Sequence, residues 1–410
     1  MRTVEVLVVG GGAAGIAVAA SLLRRRSEAA VAIVEPQDKH YYQPAWTLVA
    51  GGLFDPSKTE RPMRHCIPKG VQWIRASVAA FDPAGNAVVL DDGERIGYRV
   101  LVICPGLQLN WHAIEGLPET LGRNGVTSNY RFELASYTWQ LVRTLREGAA
   151  IFTQPPMPIK CPAAPLKALY LSSDIWRRRG TLGRIEVKLN ISGAALFSVP
   201  LFVPALLNYV DRYNAALSLK TTLAAIDGPA RKAWFEIQNE DGSVRRVAES
   251  FDMIHVVPPQ SAPDFVRRSP LANGEGWVDV DPATLRHRRY DNVFSLGDAC
   301  SAPCTKTAAA VRKQAPVVAT NIAAQLSNRQ PCTTYDGYGS CPIVVERGKV
   351  LLAEFGYGGT PMATFPLDPV KPRRSFWFMK RYILPFVYWH LMMTGREVLA
   401  GPTGPARIAP

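Results

Sequence analysis

The run Val4-Glu5-Val6-Leu7-Val8-Val9-Gly10-Gly11-Gly12-Ala13-Ala14-Gly15 carries a strand directly into a Gly-x-Gly-x-x-Gly turn. The turn opens a helix, and the next strand ends in Glu35, twenty residues beyond Gly15. Each part has a task in dinucleotide binding. Gly10, Gly12 and Gly15 let the backbone approach a pyrophosphate and let the helix lie close to the strand. The helix N-terminus at Ala13 and Ala14 presents free N–H groups, and Glu35 can accept from a ribose hydroxyl. A Gly-rich turn alone is a weak signal. The full order, strand, turn, helix, strand, acid, predicts a bound dinucleotide.

Working outward, residues 71–74, 77–81 and 86–90 read as strands separated by Pro83-Ala84-Gly85-Asn86 and Asp91-Asp92-Gly93 turns. Residues 100–103 form a buried strand closing on Cys104-Pro105-Gly106, a small-residue turn suited to passing close to a flavin. A second α/β unit follows, with strands at 149–153, 185–191 and 251–257 and helices at 166–179 and 203–213. The chain then returns through a strand at 292–296 ending in Gly297-Asp298, and a helix starts near Lys306-Thr307. In two-dinucleotide flavoproteins an Asp at that place reaches the ribityl or pyrophosphate portion of FAD, and Asp298 is expected to do so here. The three signals in this order predict an FAD-binding domain interrupted by a second domain. The fold class is α/β with two Rossmann-like dinucleotide-binding domains. Residues 1–110 and 280–330 make the FAD-binding domain, 111–279 the second, and 331–410 a C-terminal region with a membrane-associated segment.

The second domain lacks the nucleotide loop that its architecture leads one to expect. After the strand at 149–153 comes Gln154-Pro155-Pro156-Met157-Pro158-Ile159-Lys160-Cys161-Pro162-Ala163-Ala164-Pro165, with five prolines and no glycine. Proline removes N–H donors and stiffens the backbone, so this loop cannot cradle a pyrophosphate and NAD(P)H is not the expected reductant. A cysteine stands where a nicotinamide would approach the flavin, which points to a sulfur compound as electron donor. Cys161 and Cys341 are each followed by proline, and each is expected in a loop converging on the flavin. Cys66, Cys104, Cys300, Cys304 and Cys332 read as small buried residues.

Composition narrows the partners. The net charge is +13, but the basic runs (Arg24-Arg25-Arg26, Arg177-Arg178-Arg179, Arg286 to Arg289) are short and scattered. Without a nucleic-acid motif they argue against DNA or RNA, and the first two read as solvated helix faces. Seven cysteines without a C-x-x-C pair and six scattered histidines give no metal-ligand spacing. No stretch reaches the length of a spanning helix, and with Met1 three residues before the first strand no signal peptide is expected, unless the sequence is a trimmed one. The segment 376–393 is rich in aromatics and interrupted by Lys380, Arg381 and His390. It is expected to dock at a membrane interface, with Lys380 and Arg381 meeting lipid headgroups. The rival readings are a buried helix or a homo-oligomer interface. A peripheral protein of a bacterial inner membrane is the expected setting.

At these residues the chain resembles the sulfide:quinone oxidoreductase family, in the branch that includes the mitochondrial enzymes. The resemblance spans nearly the whole chain. It is carried by His40-Tyr41-Tyr42-Gln43-Pro44, Trp46-Thr47-Leu48-Val49, Lys160-Cys161, Gly276-Trp277-Val278-Asp279, Lys306-Thr307-Ala308-Ala309-Ala310-Val311, Tyr335-Asp336-Gly337-Tyr338 and Ser340-Cys341-Pro342. The resemblance implies FAD on the Gly10–Gly15 loop and Glu35, with further contacts from Gln43, Val78, Asp298 and Lys306. It implies that Cys161 and Cys341 are a redox pair bridged by sulfur at rest. Hydrogen sulfide would attack the bridge, two electrons would pass through FAD to a membrane quinone, and a small-molecule acceptor would remove the sulfur from Cys341. Lys167 and Lys380 would draw in HS⁻ and hold the thiolates ionised. The alternatives are a type II NADH:quinone oxidoreductase, which needs the missing loop, and a non-catalytic FAD-containing sulfur sensor.

Overall fold

A computed structural model describes residues 2–400. Two parallel sheets organise it. The first has seven strands, with Gln72–Ile74, Val31–Val34, Arg2–Val9, Arg95–Ile103 and Val293–Ser295 running parallel in that order. The antiparallel hairpin Val78–Asp82 and Ala87–Leu90 is added at the early half of Arg95–Ile103. Val6 to Val9 and Val100 to Ile103 are buried throughout, as continuous apolar runs are in a central parallel strand covered on both faces. The helices Ala13–Arg25 and Ala308–Leu326 pack on this sheet.

The second sheet orders Val126–Thr127, Met253–His255, Gly148–Gln154, Ile185–Ile191 and Ala216–Ser218, all parallel. Beside it lies an antiparallel sheet of Thr221–Asp227, Lys232–Gln238 and Val244–Ser250, which the sequence reading left unassigned. Its middle strand alternates buried Ala233 and Phe235 with exposed Lys232 and Glu236, a period-2 pattern that was there to be read. The helix Ala164–Arg178 ends on buried Asp174, which accepts from Arg177 (2.9 Å), Arg178 (2.7 Å) and the Arg347 N–H (3.0 Å). The arginines expected on a solvated face therefore clamp this helix to the turn of the hairpin Gly339–Glu346 and Lys349–Phe355. Burial raises the Asp174 pKa, but these donors outweigh it and hold the carboxyl below its usual range.

A C-terminal helix runs through Arg374–Phe378, Met379–Ile383, Leu384–Phe386 and Val387–Leu391, two of these segments having wider π-type turns. Its inner face buries Phe376, Lys380, Tyr388 and Trp389. Among the described residues no helix is long and apolar enough to cross a membrane. His40 ties this helix to the Gly-rich loop. Its Nδ1 lies 3.1 Å from the Gly11 carbonyl and its Nε2 2.7 Å from the Tyr388 hydroxyl. A carbonyl only accepts, so Nδ1 carries the proton and Nε2 accepts from Tyr388.

Burial pushes both His40 and His255 down to about 4. The unfolded chain takes up these protons near pH 6.5 and the folded chain does not, so stability falls as pH drops from about 6.5 to about 4. The full effect is on the order of 3 kcal/mol per histidine. The melting temperature should accordingly drop between pH 7 and pH 5, and by less in His40→Gln. An unchanged melting temperature over that interval would contradict the buried neutral state.

Candidate active site

The Gly-rich loop is shaped from within. Gly10 has φ +104°, and a Cβ there would lie 2.5 Å from the Cys104 carbonyl oxygen. A Cβ on Gly15 would lie 1.9 Å from the Gly10 carbonyl oxygen. These two glycines allow strand, turn and helix to touch. Gly12 is different: a Cβ there meets nothing within 4 Å, so the turn presents an open face. The helix Ala13–Arg25 has no side chain capping its N-terminus, which leaves the first-turn donors around Ala13 and Ala14 for an anion. Glu35 accepts from the N–H of Gly11 at 2.7 Å and of Gln37 at 2.8 Å. Burial raises its pKa while those N–H groups oppose the rise. An open glycine, free helix donors and an acid at the end of the next strand fit a dinucleotide.

The returning chain closes the same region. Gly106 is open, with φ +78°. Burial raises the Asp298 pKa, and Lys306 and Lys160 oppose it. Lys306 Nζ donates to the carbonyls of Asp298 (2.6 Å) and Cys300 (3.2 Å) and sits 3.8 Å from the centre of the Trp277 ring. Thr307 caps the helix Ala308–Leu326 by accepting from the Ala310 N–H. Val78 is buried at the start of its strand, and Gln43 is exposed and accepts from Lys160 Nζ.

The Cys161 segment is fastened to this region by its backbone. The Cys161 N–H donates to the Lys306 carbonyl at 2.9 Å, and the Cys161 carbonyl accepts from Ala164 N–H at 2.7 Å. Tyr130 donates to the Lys160 and Cys161 carbonyls, and Gln260 accepts from the Lys160 N–H. These bonds hold Cys161 at φ +48°, a left-handed conformation uncommon for a residue with a side chain. Cys341 reaches it from another element. It lies on the strand Gly339–Glu346, opposite Ala353, and not in the loop expected for it. That strand packs on the helix Ala164–Arg178 through Leu166, Leu169 and Tyr170, which brings a fully buried Cys341 beneath the N-terminus of the helix.

Both thiols are free, and they interact directly. The Cys341 thiol donating to Cys161 is the first cause that holds Cys161 well below the usual thiol range; Lys167 and Lys380 add to it against burial. The same shared proton, with burial, drives Cys341 well up. We assign the thiolate to Cys161 because Lys167 Nζ lies 3.1 Å from its sulfur. Lys167 is only 2% exposed and keeps a raised pKa despite burial, because Cys161 and Cys341 face it. Lys380 is 3% exposed, donates to the Pro44 carbonyl at 2.9 Å, and is pushed down to about 7 by burial and by Lys167. It is buried beside Lys167 and the two thiols, so, contrary to expectation, it does not reach lipid headgroups. Arg381 donates to the Leu53 carbonyl and is likewise engaged by the protein.

Sequence reading named no role for Lys160, Tyr130 or Gln260. Lys160 is brought down to about 8 by burial, with Asp298 and Cys161 opposing, and its ammonium sits 5.5 Å from the ring centres of Trp46 and Tyr130. Adjacency to Cys161 was its only signal. Tyr130 and Gln260 lie 31 and 99 residues from Cys161 in the chain and carried none.

A nucleotide loop on the first sheet meets a thiol pair supplied by the loop after the strand Gly148–Gln154 and by the hairpin strand Gly339–Glu346, an arrangement that fits the pyridine nucleotide-disulphide oxidoreductase fold. The sequence profile of that family matches residues 4–151. The chain belongs to the sulfide:quinone oxidoreductase family. It is 40% identical over 391 residues to the mitochondrial sulfide:quinone oxidoreductase of Mus musculus, covering 95% of this chain and 86% of that one. It is 40% identical over 368 residues to the mitochondrial enzyme of Dictyostelium discoideum, covering 89% and 80%. The fold matches the sulfide:quinone oxidoreductase structure from Aquifex aeolicus at a TM-score of 0.81 with 19% identity, over 96% of this chain and 92% of that one. The mitochondrial names lend no support to a bacterial inner membrane as this chain's setting.

Proposed function

We propose that this chain is a sulfide:quinone oxidoreductase that oxidises hydrogen sulfide at a Cys161–Cys341 pair and passes the electrons to a membrane quinone. The observation that carries the reading is the buried Lys167 ammonium 3.1 Å from Cys161 Sγ, with Cys341 against the same sulfur. Such a pair closes to a disulfide when oxidised. Hydrosulfide then attacks the Cys341 sulfur, the bridge breaks, and Cys341 becomes a persulfide while Cys161 leaves as thiolate. Lys167 and Lys380 stabilise the leaving thiolate and attract the anionic nucleophile. A small-molecule nucleophile acting as sulfur acceptor takes the outer sulfur from Cys341.

FAD fits the residues of the nucleotide site, and when bound it supplies a two-electron acceptor. The groups that would hold it are the N–H donors from Gly12 to Gly15, Glu35, Gly106, Asp298 and the Thr307 turn. This chain's part is to orient it and to keep Cys161 ionised beside it. The quinone side involves the C-terminal helix, whose outward Phe378, Tyr382 and Phe386 are more than half exposed. Large aromatics in one outward stripe suit a membrane interface.

The loop Gln154–Pro165 has no glycine, so NADH is expected to leave the flavin oxidised while sulfide bleaches it, and added quinone restores the colour. An anaerobic titration with NADH and then sulfide tests this. Rapid bleaching by NADH would favour the NADH:quinone alternative, and bound flavin that neither compound bleaches would favour a sensor.

A further inference from the structure

In the C-terminal helix Lys380 is buried and bonded to the Pro44 carbonyl, while half-exposed Arg381 spends donors on the Leu53 carbonyl and the Tyr382 hydroxyl. A different cationic feature sits at the end of the same helix. A cavity of about 360 Å³ opens between the helix Ala13–Arg25, residues 61–69 and residues 389–394. Arg24, Arg61, His65 and Lys69 line it, with Trp389 and Met393 as an apolar wall, and no lining residue is acidic. Among the described residues Arg24, Arg61 and Lys69 make no ion pair with a carboxylate. The Arg61 guanidinium lies 4.2 Å from the centre of the Trp389 ring, which pre-orients it with its donor fork unspent on any carboxylate. Arg24 is fixed by donating Nε to the Thr394 carbonyl at 2.8 Å, with its other nitrogens free of that bond.

The position matters as much as the charge. Trp389 is adjacent in sequence to exposed His390, whose ring meets that of exposed Phe386 at 5.0 Å. The cavity therefore flanks the last turn of the outward aromatic stripe. Cations around an apolar wall, at the rim of a surface that enters the acyl boundary, match a phosphodiester carrying a hydrocarbon tail.

We propose that this cavity binds the phosphate headgroup of an anionic phospholipid and so sets the depth and lipid preference of membrane docking. The proposal rests on the docking role given above to the C-terminal helix. Free phosphate shares the headgroup chemistry, but the Trp389 and Met393 wall favours the lipid.

Flotation of the intact protein with two kinds of vesicle tests it: phosphatidylcholine alone, and phosphatidylcholine with a minority of phosphatidylglycerol. The wild type should prefer the phosphatidylglycerol vesicles. The double variant Arg61→Gln with Lys69→Gln should bind them about tenfold more weakly or worse, with its binding to phosphatidylcholine and its melting temperature unchanged. Arg61→Lys should keep most of the preference. Phe378→Ser with Phe386→Ser should lose binding to both vesicles. The proposal is overturned, with docking intact, if the double variant keeps the wild-type preference. It is also overturned if a control at the distant exposed pair, Arg245→Gln with Arg268→Gln, loses as much, since net charge then explains the effect. Inorganic phosphate, matched in ionic strength with chloride, should compete poorly; full competition would assign the cavity to free phosphate. A wild type that floats with neither vesicle defeats both the docking role and the headgroup site.

Discussion

Cys161→Ser is expected to reduce sulfide-dependent quinone reduction by at least about a thousandfold while leaving the flavin bound. A serine hydroxyl cannot form the bridge with Cys341, and it is a far poorer leaving group than a thiolate. The flavin should remain because the proposed nucleotide site rests on the Gly10–Gly15 turn and Glu35, and Cys161 meets Lys306 through its backbone N–H. Serine keeps that N–H. Cys341→Ser should behave alike, since the proposed mechanism needs both sulfurs, whereas Cys300→Ser and Cys304→Ser should change turnover little. The measurement is steady-state quinone reduction together with the flavin-to-protein absorbance ratio. Near-normal turnover in either Cys161→Ser or Cys341→Ser would falsify the paired-thiol mechanism.

The next largest effect is expected at Lys167→Met. Methionine fills a buried, 2% exposed position with similar volume and no charge. Cys161 then keeps the Cys341 hydrogen bond but loses the nearest cation, and burial pushes its pKa back up. At neutral pH the thiolate fraction falls, and we expect roughly a hundredfold slower sulfide oxidation, or about 3 kcal/mol in the barrier. Because the defect is one of ionisation, it should shrink as pH rises, unlike a packing defect. The rate of Cys161 alkylation against pH reads this directly: its midpoint should move upward in the variant. An unshifted midpoint would show that Lys167 does not hold the thiolate, whatever happens to turnover.

The opposite pKa movements of Lys167 and Lys380 show why sequence could not rank these lysines. Both are buried beside the sulfur pair. Lys167 is held charged by the thiols it touches, while Lys380 is brought to about 7 by burial and by Lys167 itself. Two cations close together cannot both be fully ionised in a low-dielectric site. In the chain they lie 213 residues apart, and nothing local distinguishes either from a surface lysine.

Local pattern alone determined the parts of this protein that depend on near neighbours in the chain. The Gly10–Gly15 turn was legible because only glycine permits the backbone contacts it makes with Cys104 and within itself. The parallel strands were legible because buried β-branched runs have few other uses. The Gln154–Pro165 loop was legible as a stiff, donor-poor segment because proline removes donors wherever it stands. Aromatic richness in 376–393 was legible too, but not its facing. Tertiary packing decided that Lys380 turns inward to Pro44 while Phe378, Tyr382 and Phe386 turn outward. It also decided that Cys341 reaches Cys161 from a strand, because the Gly339–Glu346 hairpin is fixed to the helix Ala164–Arg178 through Asp174 and Arg347. The physical reason is common to these cases. A glycine turn or a proline loop states its limits through bonds to adjacent residues, whereas charge state, facing and sulfur contact depend on burial and on partners far along the chain, which exist only once the two sheets and the hairpin have packed.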